Sequence, residues 1–350
     1  MTGIAHSRRE PAFLAACRRR PTDRTPVWFM RQAGRYTPEY RAARARRNVL
    51  AICRRPKLVA QISLQPVERL GVDAAIVFAD VRLPFEPLGL GLAYAEQGGL
   101  KVWHPIRRPT DVDKLKRVDP ARDLAHLLEG VRQTKAGLTA RFPDTPLIGS
   151  AGAPFTLASY AIEGAGSGTC NATKRFMYEH PEAWHALMDK LAALLGSFLT
   201  LQVAAGADAL QLFDSSVGCL GCDDYREYVL PHSKRVIELA ATAGVPIIHF
   251  GTDTATLLEL MAQAGGDVIG VDWRIPLDAA WARVGDRAIQ GNLDPSALHA
   301  PPPELERRVE DVLRRAHGRP GHIFNLGHGI QPGTPVKSLK AVVDLVHAHR

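Results

Sequence analysis

No uncharged run in the 350-residue chain reaches the ~20 apolar residues that a membrane-spanning helix needs. The stretch between Lys190 and Asp208 comes near, but Ser197, Gln202 and two glycines interrupt it, so it reads as a buried amphipathic helix. The opening segment Met1–Glu10 has no apolar h-region and does not read as a secretory signal. Cysteine is scarce: Cys17, Cys53, Cys170, Cys219 and Cys222 are an odd count in a chain long enough to need no staples. That argues against a disulfide framework and for a reducing, cytoplasmic setting. Fixed-period repeats and low-complexity tracts are missing, which excludes a solenoid or a propeller. Acidic residues are in deficit, 36 against 44 Lys+Arg, for a net charge of +8. Such a surplus suits nucleic acid, an anionic surface or a strongly acidic small molecule. No RNP, helix-turn-helix or zinc-finger signature accompanies it, so no nucleic-acid partner is expected.

What is present is a soluble-protein composition, 46% hydrophobic and 23% charged, at a length that buries a sizeable core. Short apolar runs, each closed by a polar residue or glycine, recur between stretches of helical pattern. They are Pro26–Met30, Ala74–Ala79, Pro146–Ile148, Ala209–Phe213, Pro246–Ile248, Val268–Val271, Ala288–Ile289 and His322–Phe324. Runs apolar on both faces fit parallel strands covered by helices. Helical periodicity appears in Ala183–Ala205, Leu230–Ala243, Thr254–Gln263 and Glu304–Ala316, and prolines at 181 and 303 suit first-turn positions. Eight strands alternating with helices predict an α/β fold. A single (β/α)8 TIM barrel spanning residues 1–350 fits at least as well as an open doubly wound sheet.

In a barrel, the residues that close the strands share one mouth, here Arg31, Asp80, Ser215, His249, Asp272 and His328. Arg31 and Arg35 straddle Gly34 directly after a buried-looking run, with Arg41 and Arg44 close behind. Such a cluster repels itself unless an anion binds there. Arg41, Arg46 and Arg47 are well explained as a solvated helix face, whereas Arg31 is not. Cys219-Leu220-Gly221-Cys222 resembles half a zinc site but lacks a partner pair, so no metal is expected. The glycines of Gly327-His328-Gly329 could cradle phosphate, but Pro332 and Pro335 break any immediate helix.

The run Pro26-x-Trp28-x-Met30-Arg31-Gln32-Ala33-Gly34-Arg35 resembles the first signature of the uroporphyrinogen decarboxylase family at every fixed position. Gly152-Ala153-Pro154-Phe155-Thr156-Leu157, followed by Tyr160 and Glu163-Gly164, resembles the second. Phe78-Ala79-Asp80, Gln211–Ser215, His249–Thr252, Gln290–Pro295 and Phe324–Gly329 follow in family order, so the resemblance covers nearly the whole chain. It implies a homodimeric (β/α)8 barrel that converts the acetate side chains of uroporphyrinogen III to methyls without metal or organic cofactor, giving coproporphyrinogen III and carbon dioxide in haem biosynthesis. Carried over position by position, the substrate-binding residues become Arg31, Gln32, Ala33, Gly34, Arg35, Arg44, Asp80, Tyr160, Ser215 and His328, with Asp80 and Arg31 catalytic. Two departures stand out. Thr37 occupies a usual Leu position, and Val81-Arg82 follows the aspartate where aliphatic residues are preferred.

The chemistry agrees with these residue types. Loss of carbon dioxide needs an electron sink, and a pyrrole protonated on carbon is its own sink. A buried carboxylate aimed at the pyrrole N–H groups would stabilise that cation, and Asp80 is the candidate. The proton donor is either Arg31 or a carboxyl of the substrate. The rival reading is a corrinoid-related methyltransferase of the same superfamily, which binds zinc through a His-x-Cys. Here the corresponding segment is His249-Phe250-Gly251, and glycine cannot be a ligand.

Overall fold

The computed structural model describes residues 10–34, 36–94 and 99–349. Among them run strands β1 (Ala75–Ile76), β2 (Leu92–Tyr94), β3 (Leu100–Val102), β4 (Leu147–Gly152), β5 (Ala209–Asp214), β6 (Ile247–Gly251), β7 (Val268–Gly270), β8 (Ala288–Leu293) and β9 (His322–Leu326). Seven form one parallel sheet in the order β1-β4-β5-β6-β7-β8-β9. Parallel neighbours consecutive in the chain require a crossover each time, and helices provide them. The sheet curls strongly: Gln211 on β5 accepts a hydrogen bond from Gln290 on β8 at 3.1 Å, across two intervening strands. The fold is thus α/β, a curled seven-stranded parallel sheet flanked by helices.

Seven of the eight apolar runs join this ladder, and Pro26–Met30 is the exception. It makes a single parallel bridge, Val27 to Phe324 of β9. The reason lies in where its N–H groups go. Pro26 has none; Val27 donates to the Asp73 carboxylate at 2.8 Å, Phe29 to the Gln32 side chain at 2.9 Å, and Met30 to Asn325 Oδ1 at 3.0 Å. Side-chain acceptors replace ladder carbonyls, and only Trp28 donates to a strand, at Phe324 O. On its other side the run accepts from Asp73 N at 2.8 Å, just ahead of β1. The antiparallel hairpin β2–β3 was not expected, since its strands are short and half-exposed.

The helices follow the periodic segments, as Pro181–Ala204, Leu230–Ala241 and Pro302–Ala316, while the segment Thr254–Gln263 opens with a turn and is helical only over Leu258–Ala264. Pro181–Ala204 is the one helix among the described residues long and apolar enough to cross a membrane. Its apolar face, including Trp184, Leu187, Leu191 and Leu195, is buried instead in the protein core. Buried side chains from Phe13 to Val346 form one continuous cluster.

Candidate active site

A cavity of about 380 Å³ opens where the parallel strands end. Its wall takes Met30, Arg31 and Ala33 from the segment after the Val27 bridge, and residues 76–82 from β1 and its following turn. Ser150 comes from β4, Thr156 and Tyr160 from the helix after it, Phe213, Ser215 and Ser216 from the end of β5, Phe250 from β6, and His328 and Gly329 from beyond β9. A groove of about 460 Å³ between helices Pro38–Arg46 and Pro56–Leu70 lies away from every strand end. The C-terminal rim is where a parallel α/β sheet gathers side chains from separate strands, so the first cavity is the candidate site.

Several lining residues are held in place by their neighbours. Arg31 has φ +61°, a left-handed conformation that costs a non-glycine residue about 1 kcal/mol and is tolerated where neighbours over-determine it. Those neighbours are the Gln32 side chain, which donates to Ala74 O at 2.8 Å while accepting from Phe29 N, and the bond from Ile330 N to Met30 O at 2.9 Å. The Arg31 side chain crosses Gly329 so closely that a Cβ there would lie 2.3 Å from Arg31 Cδ. The second glycine of Gly327-His328-Gly329 therefore makes room for the arginine. Ser215 and Ser216 are fixed through Thr156, whose hydroxyl donates to buried Asp214 at 2.9 Å and accepts from Ser216 N at 3.1 Å. His328 meets Phe250 edge-on, with ring centroids 6.4 Å apart.

Asp80 is the carboxylate of the cavity wall, and Arg82 grips it. Arg82 Nε donates to Oδ1 and Nη2 to Oδ2, both at 2.9 Å, and the Arg82 main-chain N–H adds a bond to Oδ1 at 3.0 Å. Nη1 donates to Leu100 O at 2.8 Å, and the guanidinium lies 4.9 Å from the centre of the Tyr160 ring. Burial pushes the Asp80 carboxyl upward, but the Arg82 fork, helped by the charge of Arg31, outweighs it and leaves the group below the usual carboxylate range. The side chain is ionised, with its charge matched at once by its neighbour.

Of the residues singled out from sequence, Arg31, Ala33, Asp80, Tyr160, Ser215 and His328 converge on this cavity. Arg35 lies outside the described residues. Gln32 is buried with its amide committed to the wall, and Gly34 does not line the cavity. Arg44 points elsewhere, donating to Arg47 O at 2.8 Å and to the Tyr94 hydroxyl at 2.6 Å. His249 and Asp272, expected at the mouth, are buried and do not line the cavity: His249 sits 3.9 Å from Asp214, and the Asp272 carboxylate binds Arg274 and the main-chain N–H of Asp253. Thr37 caps helix Pro38–Arg46 by accepting from Tyr40 N, which a leucine could not do. Sequence reasoning did not select Arg82, Thr156, Phe213 or Phe250 for the site. Arg82 was visible only as a departure from pattern.

Among the described residues no group of three or more His, Cys, Asp or Glu side chains is placed to hold a metal ion. A side chain at residue 251 would also meet Thr254 Cγ2 at 2.5 Å, so the position after His249-Phe250 has no room for a thiol. Cys222 is exposed and directs its sulfur to Thr256 O.

The family model described as "Uroporphyrinogen decarboxylase (URO-D)" matches residues 8–349. Curated proteins named uroporphyrinogen decarboxylase are 54% identical in Sorangium cellulosum (96% of this chain, 95% of that protein) and 52% identical in Chloroflexus aggregans, with the same coverage. Among solved structures, a methyltransferase from Methanosarcina mazei superposes with a TM-score of 0.79 over 96% of this chain and 97% of that one, at 18% identity. That likeness is one of fold. The chain belongs to the uroporphyrinogen decarboxylase family.

Proposed function

We infer that the chain decarboxylates the acetate side chains of uroporphyrinogen III to give coproporphyrinogen III and carbon dioxide. The observation that carries the mechanism is a partly buried, ionised Asp80 facing the same cavity as Arg31. Protonation of a pyrrole on carbon makes the ring cationic. The bond between the acetate methylene and its carboxylate then breaks, and its electron pair returns to the ring as carbon dioxide leaves. A second proton at the methylene carbon, with loss of the first from the ring carbon, completes the methyl group and restores the pyrrole. Asp80 accepts from the pyrrole N–H groups and stabilises the ring cation, an attraction that grows as the charge develops. Arg31 binds a substrate carboxylate, and it or a substrate carboxyl supplies the proton. Tyr160, Ser215 and His328 complete the wall; the family resemblance assigns Arg35 and Arg44 to substrate carboxylates, which for Arg44 requires leaving Tyr94.

The architecture behind this reading is a closed (β/α)8 barrel. Pro26–Met30 sits between β9 and the residues before β1, and its Val27 bridge and the Asp73 bonds support counting it as the closing strand. The buried chain from Trp28 Nε1 to Gln290 to Gln211 crosses the interior such closure creates.

The test is anaerobic, reducing incubation with uroporphyrinogen III, the products being resolved by carboxyl number. Stepwise loss of acetate carboxyls, at a rate unchanged by chelation and desalting, is the expected result. A rate lost on chelation and restored only by zinc would favour metal chemistry of the methyltransferase kind.

A further inference from the structure

The Arg82 fork occupies most of what Asp80 can offer. An ionised carboxylate has about four lone-pair sites. Arg82 takes three of them, two on Oδ1 and one on Oδ2. A macrocycle presenting several N–H groups to Asp80 therefore finds the acceptor already bound. The pair is also internally neutral, so an Asp80 still clamped by Arg82 would offer a forming ring cation little net attraction.

We propose that Arg82 is an exchangeable counter-ion and a further substrate-contacting residue. Its fork leaves Asp80 as the pyrrole N–H groups arrive and closes on a carboxylate of the same substrate. This rests on the reading of Asp80 as the pyrrole acceptor. Three features of the site carry it. First, Arg82 lies in the turn after β1 and itself lines the cavity, with only 16% of its side chain exposed. A short rotation brings the guanidinium to a ligand without crossing solvent. Second, it has holding points besides Asp80, namely the Leu100 carbonyl and the face of Tyr160, so the side chain stays against the wall while the fork turns. Third, the exchange conserves pairing. The guanidinium trades one carboxylate for another and Asp80 trades guanidinium N–H for pyrrole N–H, so no charge is buried alone at either end. Arg82 thereby couples recognition to activation: a ligand that carries a carboxylate in reach uncovers the negative charge the reaction needs.

The experiment measures uroporphyrinogen decarboxylation by the parent, Arg82→Leu and Arg82→Lys, with thermal melts to check folding. For Arg82→Leu the proposal expects KM to rise about tenfold with kcat within about twofold, because a substrate contact is lost while Asp80 is already uncovered. The acid limb of its kcat/KM profile moves to higher pH, since Asp80 loses the Arg82 fork that offsets its burial. Arg82→Lys retains the charge without the fork and gives an intermediate KM; it decides the matter alone if the leucine variant does not fold. A raised kcat with parental KM in Arg82→Leu would mean that Arg82 stays on Asp80 through turnover, and it overturns the proposal. So does parental KM in both variants. No turnover by the parent overturns the reading of the site itself, which the variants alone cannot do.

Discussion

Asp80→Asn removes one negative charge from the cavity while keeping the size of the side chain, and its two consequences can be measured separately. In the unliganded protein the Arg82 fork loses its partner. Arg82 and Asp80 are 16% and 18% exposed, and the guanidinium keeps the Leu100 carbonyl and the Tyr160 face. Losing the charge-assisted bonds therefore costs about 1 kcal/mol. Unfolding entropy of about 2.1 cal/mol/K per residue gives about 0.7 kcal/mol/K for a chain of 350 residues, so Tm should fall by only about 1–2 °C. The effect on turnover is larger. A ring cation about 4 Å from a carboxylate gains about 4 kcal/mol at an effective dielectric near 20, and a guanidinium left on that carboxylate, about 6 Å from the ring, cancels about 3 kcal/mol of it. At 1.36 kcal/mol per decade, Asp80→Asn should lower kcat by about 10²–10³; a guanidinium that stays in place repels the cation equally in parent and variant and so leaves this ratio unchanged. Asp80→Glu keeps the charge and should retain more activity. The assay is steady-state decarboxylation under anaerobic conditions, alongside a melting curve for each variant. A folded Asn variant with near-parental kcat would refute the electrostatic role and shift attention to Tyr160 and Ser215.

Three further outcomes follow from the same structure. Asp73 accepts from Val27 N and Arg24 and contacts His347, and those partners outweigh its burial to hold its carboxyl below the usual range. Asp73→Ala leaves the Val27 N–H buried and unpaired at a cost of about 2–4 kcal/mol, read as a Tm drop of about 3–5 °C at the slope above; an unchanged Tm would mean that Pro26–Met30 is held without it. Burial pushes His322 down to about 4, so the unfolded chain takes up its proton first. Its contribution to stability is full above about pH 6.5 and falls by roughly 3 kcal/mol as pH drops toward 4. Denaturant titrations should show that slope flattened in His322→Gln, and an identical slope would assign acid lability elsewhere. Gly329→Ala must displace the Arg31 side chain that crosses it, so kcat/KM should fall about tenfold or more with little change in Tm. Parental kinetics would show that Arg31 can be re-seated freely.

Strand positions were legible because buried parallel strands must be apolar on both faces; seven of the eight apolar runs sit where strands of the sheet do. Helices were legible for the matching reason, a one-sided apolar stripe; Pro181–Ala204 begins at the proline that the pattern marks, and Pro302–Ala316 begins just before the marked Pro303. Arg31, Asp80, Ser215 and His328 were legible because each closes or follows an apolar run, and parallel topology gathers such positions on one rim, whereas Tyr160 was legible only from the family signature. Partnership was not. Residue type alone does not reveal that Val27 and Met30 give their N–H groups to side chains, because the acceptors Asp73 and Asn325 lie far away in the chain. Nor does it separate Arg44, which turns to Tyr94, from Arg82, which turns to Asp80 and the cavity. Backbone periodicity depends on local burial and is written along the chain. The direction of a long charged side chain depends on which acceptors the folded sheet brings within about 3 Å of it, and only the tertiary structure decides that.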